Sequence, residues 1–335
     1  MNLSAAGLAP TPKTIRLMAA LALATATNLP GAEDHFPANV RKPPNRAEER
    51  YWLKNMVCYH HFTIDEVVSA TGLSAAEVRA KIQQFGLEKA TVPPRRDTDP
   101  LRVLPYPGGR HPRIGFLEGA IDPQRETKFS VFTPWDPASY VVVDLPEAIF
   151  SNLGLAYLAH THVPTLWTLK GLELPRLEWK RHGRGRLESE RTLPNGIAFG
   201  AKVVPARDGV RMSLWLKNGT AQRLTGLRVQ NCVMLKAAAG FAALTNGNKV
   251  FSPPYAAVHD LAGNRWIITA WEPCHRTWGN EKVPCLHSDP QFPDCAPGQT
   301  VHVAGWLSFF EAPDIQSEFR RLDRLGPFKA SSTAR

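Results

Sequence analysis

The sequence predicts a mainly β protein, an antiparallel β-sandwich preceded by a small α-helical segment. From Arg113 onward, short alternating segments are separated by turn residues, and Asp208-Gly209 and Asn218-Gly219 are strong hairpin turns. From Ala47, within the segment 33–95, apolar side chains instead recur at helical spacing. Many short strands at such intervals are typical of sandwiches and barrels, so we expect one β domain over residues 96–325.

The first 32 residues have the order of charged, apolar and small side chains found in export signals. Lys13 and Arg16 precede the apolar run Leu17–Ala26, and Ala24–Ala26 and Ala32 offer cleavage sites. A buried Ala/Leu helix is the alternative. We expect residues 1–32 to be a signal peptide and the mature protein to be periplasmic or extracellular. No apolar run is long enough to predict a membrane span.

Residues 33–95 predict a linker followed by short helices. Thr63 and Ser74 each begin a capping box, and a glycine follows each of the two helical stretches. The pair within Phe62–Leu87 resembles the helix-turn-helix module of DNA-binding proteins. In that module the second helix faces nucleic acid, and here it would present Arg79, Lys81, Gln83 and Gln84.

A DNA-binding role conflicts with export, because an exported protein does not meet the chromosome. We therefore expect the helix pair to be an appendage of the β domain, with no nucleic acid as partner. If the N-terminus is not a signal, a cytoplasmic helix-turn-helix regulator with a ligand-sensing β domain is the alternative.

Period-two alternation and bounding turn residues predict the individual strands. The predicted strands are Phe129–Phe132, Tyr140–Val143, Gly196–Val204, Val210–Lys217, Leu224–Leu235, Arg265–Trp271 and Thr300–Phe310. The segment Lys180–Arg186 lies between two apolar stretches and predicts a basic hairpin tip. Residues 326–335 are expected to be a disordered tail.

The chain is basic, with a net charge of +10 over 335 residues. Arg95-Arg96 and Lys180–Arg186 carry much of this charge. A basic face attracts acidic polysaccharide, nucleic acid or a membrane surface, whereas a charged hairpin tip is usually only solvated. Charge alone leaves these alternatives open.

Two stretches resemble the galactose mutarotase-like supersandwich family. Asp208–Gly240 has a strand, an Asn-Gly-Thr turn and a second strand, and Ala296–Thr300 is a Pro-Gly entry into a late strand. The resemblance spans residues 113–319 and suits a bacterial secreted family. It rests on the pattern of strands and hairpin turns. The sugar-contacting histidine motif of the mutarotases is not recognisable in this sequence. It implies a sugar or oligosaccharide as ligand and names no reaction.

His160 and His162 are the first candidate catalytic residues. In an extended segment they share one face of the strand, where two imidazoles can serve as acid and base on a sugar ring. The same pair can hold a metal when a third ligand is near, but the sequence places none. The alternative is one histidine in a core hydrogen bond and one exposed. No cofactor is therefore expected.

The stretch Cys274–Glu311 begins as a Pro-rich loop that contains Cys274, Cys285 and Cys295. In an exported chain a disulfide among these three is the expectation, and zinc bound with His287 is the alternative. Asp289 follows His287 closely enough to orient its imidazole, so both join the candidate catalytic residues.

The candidate substrate-binding residues are charged or aromatic. Arg125 and Lys128 can grip hydroxyl or carboxylate groups, and an indole beside a turn can stack on a sugar. The set is Arg125, Lys128, Trp135, Trp271, Trp278 and Asn280. The alternative is that these residues belong to half-buried strands and to the core.

The sequence thus predicts an exported carbohydrate-active protein, a hydrolase, lyase or epimerase that uses histidine acid–base chemistry. A non-catalytic carbohydrate-binding or structural module with the same fold is the alternative. The sugar, the bond acted on and the oligomeric state are not indicated.

Overall fold

Two antiparallel sheets pack face to face in the computed structural model, which describes residues 40–112, 125–159 and 163–328. Their inner faces share one core that includes Phe129, Val143 and Val233 from the first sheet and Leu214 and Val303 from the second. This confirms the predicted sandwich. The predicted signal peptide and most of the predicted tail lie outside the described residues.

The first sheet has seven strands in the described part of the chain. They are β1 (Val103–Pro105), β2 (Lys128–Phe132), β3 (Tyr140–Ser151), β4 (Gly154–Leu158), β9 (Arg228–Met234), β13 (Cys274–Asn280) and β14 (Cys285–Pro290). The order is β1-β2-β3-β9-β14-β13, and β4 pairs with the second half of β3.

The second sheet has eight strands within the same described ranges. They are β5 (Lys180–Arg181), β6 (Leu187–Thr192), β7 (Ala198–Pro205), β8 (Val210–Lys217), β10 (Lys249–Ser252), β11 (Tyr255–His259), β12 (Arg265–Glu272) and β15 (Thr300–Glu311). The order is β10-β11-β12-β15-β8-β7-β6-β5.

Helices cover part of both outer faces. The helices α1 (Arg46–Lys54), α2 (Ile64–Thr71) and α3 (Ala75–Gln84), with a π-helical turn at Asn55–Tyr59, pack on the first sheet. The capping boxes at Thr63 and Ser74 are formed as the sequence predicts. The helix α4 (Ile315–Leu325), which the sequence analysis missed, packs on the second sheet and stacks Phe319 on Tyr255 with ring centroids 4.8 Å apart.

The predicted loop over residues 274–295 is instead a hairpin of β13 and β14. None of the five cysteines, all of which lie in the described ranges, forms a disulfide. The register explains this, because Cys274 lies opposite Pro290 and Cys285 lies opposite Asn280, at opposite ends of the hairpin. The thiol of Cys295 points to backbone carbonyls instead.

No helix among the described residues has the length and apolar character that a membrane crossing requires.

Candidate functional site

The outer face of the second sheet carries an open groove with a volume of about 1030 Å³. The strands β7, β8 and β15 form its floor. Three segments form its walls: the Pro253-Pro254 turn, the junction Glu272–Cys274 and the Pro327-Phe328 pair after α4.

Strand alternation places polar side chains on this floor. In β15 the buried Val301 and Val303 face the core, so the exposed His302 between them faces outward. In β8, Leu214 and Leu216 face the core in the same way, and Trp215 faces outward. The pleat therefore gives these strands one face toward the core and one face toward the groove.

One row of side chains crosses the groove from wall to wall. Ala304 pairs with Glu272 on one side and with Ser213 on the other, and Ser213 pairs with Lys202. Because neighbouring strands lie about 4.8 Å apart, Glu272 and Lys202 stand about 14 Å apart across the row. The small side chains of Ala304 and Ser213 leave the centre of the row open.

The next row holds an aromatic platform. Trp215 pairs with Gly200 on one side and with His302 on the other. A Cβ added at Gly200 would lie 2.6 Å from the indole Nε1 of Trp215, so the ring lies across the glycine. Trp215 is half-buried and adjoins the groove through its neighbour His302 rather than lining it. An indole resting on a glycine leaves its other face available to a flat ligand.

Glu272 and His302 lie in neighbouring rows on the same face of the second sheet. Glu272 is paired with Ala304, and His302 is two residues along from Ala304. Such diagonal positions have Cα atoms about 7–8 Å apart, within reach of long side chains. Both side chains are exposed, so a ligand in the groove meets a carboxylate and an imidazole together.

A second cavity of about 900 Å³ adjoins the groove, because Val204 lines both. Its cationic lining comes from separate parts of the chain: Arg96, Arg184, Arg186 and Arg207. All four side chains are exposed, and Arg96 is paired with Asp99 at 2.8 Å. The two basic clusters of the sequence thus meet at one end of the groove.

Two predicted substrate-binding residues are held inside the fold. Arg125 is 3% exposed, lies 2.6 Å from the Glu178 carboxylate and stands over the Trp52 ring at 3.9 Å. Lys128 is fully buried, and its Nζ lies 3.0 Å from Asp144 Oδ2. Neither side chain reaches the groove, and their role in substrate binding stays a prediction.

The predicted tryptophans occupy three different environments. Trp271 is 1% exposed, in the core, and Trp135 packs between Phe241 and Phe309. Trp278 lies on β13 and Asn280 at its end, where the Asn280 side chain accepts a hydrogen bond from the Lys282 backbone N–H at 2.8 Å. None of these residues lines the groove.

His160 and His162 lie outside the described residues, so their catalytic role stays a prediction. The other predicted pair, His287 and Asp289, is on β14 in the first sheet and is buried. The His287 Nδ1 lies 3.7 Å from Asp289 Oδ1, and Trp278 stacks on the imidazole with centroids 3.9 Å apart. This pair belongs to another sheet than the groove.

Electrostatics at His287 reflect its neighbours. Burial lowers the pKa of His287, but the Cys232 side chain and the Asp289 carboxylate raise it by more, so the net pKa is about 10. Trp278 and Arg276 both donate to Asp289 Oδ2, at 2.7 and 2.8 Å. His287 and Asp289 are thus buried and held in place by their neighbours.

No protein-family model matches the sequence, and no curated protein matches it. Similar solved structures include a "Putative kojibiose phosphorylase from human microbiome", at a TM-score of 0.36 and 6% identity, covering 57% of this chain and 27% of that one. This chain thus spans about a quarter of that protein.

Two further structures cover most of their own length. The Slr1438 protein from Synechocystis sp. PCC 6803 has a TM-score of 0.32 and 12% identity, covering 55% of this chain and 88% of that one. A "putative mutarotase (YeaD) from Salmonella typhimurium" has a TM-score of 0.29 and 9% identity, covering 55% and 94%.

Proposed function

We propose that this protein binds an acidic oligosaccharide in the outer groove of its second sheet. The observation that carries the proposal is the Trp215 ring, which rests on Gly200 beside His302 on an open strand face. A flat aromatic face with polar groups at its edge suits a sugar ring, whose C–H face is apolar and whose rim carries hydroxyl groups.

The polar groups of the groove suit the rim of such a sugar. Ser213, Glu272 and His302 supply donors and acceptors for hydroxyl groups. Lys202 and Arg211 supply positive charge on the same floor. Arginine binds carboxylates in a two-pronged geometry, so a uronic acid is a better match than a neutral sugar.

The adjoining cavity extends the preference for an anionic ligand. Arg184, Arg186 and Arg207 lie there with Arg96, and the whole chain carries a net charge of +10. A chain of several uronic acid units would run from the groove into this cavity. Its binding should weaken as salt increases, since exposed charges are screened.

The pair Glu272 and His302 supports turnover as a further step of the proposal. One group would remove a proton from the sugar and the other would return one, as in a lyase or epimerase. The variant His302→Asn distinguishes sugar binding alone from binding with acid–base turnover, because an asparagine keeps a hydrogen-bond donor but does not titrate. Loss of turnover with retained binding supports acid–base chemistry, and unchanged turnover excludes His302 from it.

Export remains part of the proposal and rests on the order Lys13, Arg16 and Leu17–Ala26 alone. Mass spectrometry of the protein from its host gives the N-terminus of the mature chain. A start near Thr27 or Glu33 supports export. An intact Met1 contradicts it and favours the helix-turn-helix alternative.

Affinity electrophoresis tests the ligand class directly. Gels containing polygalacturonate or alginate should retard the protein, and gels containing dextran should not. Arg211→Gln should reduce the retardation, while Arg223→Gln, an exposed arginine away from the groove, should leave it unchanged. Retardation by DNA alone, or equal retardation of both variants, would contradict the proposal.

A further inference from the structure

The outer face of the first sheet holds a group of metal-ligating side chains that the groove does not use. Cys232 is on β9, and Cys285 and His287 are on β14. The pairs Cys285–Met234 and Leu286–Val233 fix the register of these strands. Continuing that register places His287 beside Cys232, on the same face as Cys285.

The ligand atoms of these three residues converge on one point. The two sulfurs and the imidazole nitrogen all lie within 4.8 Å of one another. His287 Nε2 is 3.2 Å from Cys285 Sγ. Bonds of about 2.0 Å to nitrogen and about 2.3 Å to sulfur place the ligands of a tetrahedral zinc about 3.5–3.8 Å apart. The three atoms therefore need only small movements to close on an ion.

The second nitrogen of the imidazole is oriented as in metal sites. His287 is 2% exposed, and its Nδ1 has no hydrogen-bond partner but faces Asp289 Oδ1 at 3.7 Å. Histidines that bind metal through one nitrogen commonly direct the other to a carboxylate, which fixes the ring and the tautomer. Here Nε2 faces the sulfurs and Nδ1 faces the carboxylate.

Asp289 is itself held in place. Its carboxylate accepts hydrogen bonds from Trp278 Nε1 at 2.7 Å, Arg276 Nε at 2.8 Å and the Asn231 backbone N–H at 3.2 Å. Trp278 also stacks on His287 with an interplanar angle of 14°. The imidazole plane is thus fixed before any ion arrives, which lowers the cost of assembling the site.

Other roles for the cluster fit less well. No disulfide joins Cys232 to Cys285. All three residues are at most 3% exposed, so a nucleophilic thiol there would meet no substrate. A buried metal ion would use the two sulfurs and the imidazole nitrogen together as ligands.

We propose that Cys232, Cys285 and His287 bind a zinc ion, with Asp289 as the positioning residue for the imidazole. Two thiolates balance the charge of the ion, and a water molecule completes the tetrahedron. Binding releases the protons of both thiols, because a thiolate coordinates the ion, and the imidazole binds through the lone pair of Nε2. The ion would join β9 to β14 beneath the helices α1–α3 and should stabilise the packing of these strands.

The unaltered full-length protein is tested first. It should contain one equivalent of zinc per chain by elemental analysis. After removal of metal with a chelator, one equivalent of cobalt(II) should produce thiolate-to-cobalt charge-transfer absorption, and one equivalent of zinc should abolish it. The melting temperature should fall on metal removal and return with zinc. Absence of a one-equivalent endpoint would overturn the proposal without any variant.

Cysteine variants then locate the site. Cys232→Ser and Cys285→Ser should each reduce the charge-transfer absorption, and His287→Gln should weaken binding at least tenfold. Cys58→Ser and Cys295→Ser, which change buried cysteines outside the cluster, should bind cobalt as before. Equal absorption in all variants would overturn the assignment. If a cluster variant does not fold, alkylation of the unaltered protein locates the site. Bound zinc should protect Cys232 and Cys285 from alkylation, as mapped by mass spectrometry. Modification of Cys232 and Cys285 at the same rate with and without zinc would contradict it.

Discussion

The buried ion pair of Lys128 and Asp144 indicates that Lys128 stabilises the fold, whereas the sequence predicts that Lys128 binds substrate. Both side chains are fully buried, and Nζ lies 3.0 Å from Oδ2. At that distance and an effective dielectric constant of about 20, the attraction is about 5.5 kcal/mol. Removing one member of a buried pair costs about 3–5 kcal/mol. Lys128→Met should therefore lower the free energy of unfolding by about 3–5 kcal/mol, a large share of the stability of a typical domain.

Urea unfolding followed by tryptophan fluorescence measures this loss. The double variant Lys128→Met/Asp144→Leu should regain most of it, because no uncompensated charge remains. Lys217→Met, which removes an exposed strand lysine, should change stability by less than about 0.5 kcal/mol. If Lys128→Met keeps full stability but loses sugar binding, the structural account is refuted and the sequence prediction of a substrate-binding Lys128 is favoured.

Three further changes test the fold. A Cβ at Gly305 would overlap the Trp271 ring, so Gly305→Ala should lower the free energy of unfolding by about 1–3 kcal/mol. The control Gly183→Ala, where the added Cβ meets open space, should change it little. Equal melting temperatures for the two variants would contradict this. Thr63→Ala removes a capping box and should lower the free energy of unfolding in urea by about 1 kcal/mol. An unchanged free energy of unfolding would show that the cap does not stabilise the fold. Burial lowers the pKa of His60 to about 3, below the value of about 6.5 expected in the unfolded chain. Stability should therefore fall as pH decreases from about 6.5 toward 3, by up to about 1.4 kcal/mol per pH unit. That slope should be shallower in His60→Gln, and an identical slope would contradict the assignment.

The sequence predicts much of the second sheet because its strands alternate cleanly between turn residues. Val210–Lys217 has the predicted bounds, and Thr300–Glu311 differs from its prediction by one residue. The hairpin over Cys274–Pro290 was missed because prolines and cysteines mask its alternation. Helix α4 was missed because its short amphipathic pattern follows a strand directly and resembles a polar tail.

The groove was harder to predict than the strands. Trp215 and His302 have the same alternation as any half-buried strand, so nothing local distinguishes them from surface residues. They become neighbours only through the pairing of β8 with β15, which joins residues far apart in the sequence. Arg96 and Arg184 likewise come together only in the folded chain, where they line one cavity.

Titration calorimetry with a short oligogalacturonide, on the unaltered protein and on Trp215→Ala, tests the central claim most directly. The groove account predicts saturable binding at low salt and a dissociation constant at least about tenfold larger for Trp215→Ala, a loss of about 1.4 kcal/mol. The variant should stay folded, because the lost ring lies on the outer face. Equal binding by the two proteins, or no binding by either, would contradict a carbohydrate site on the second sheet.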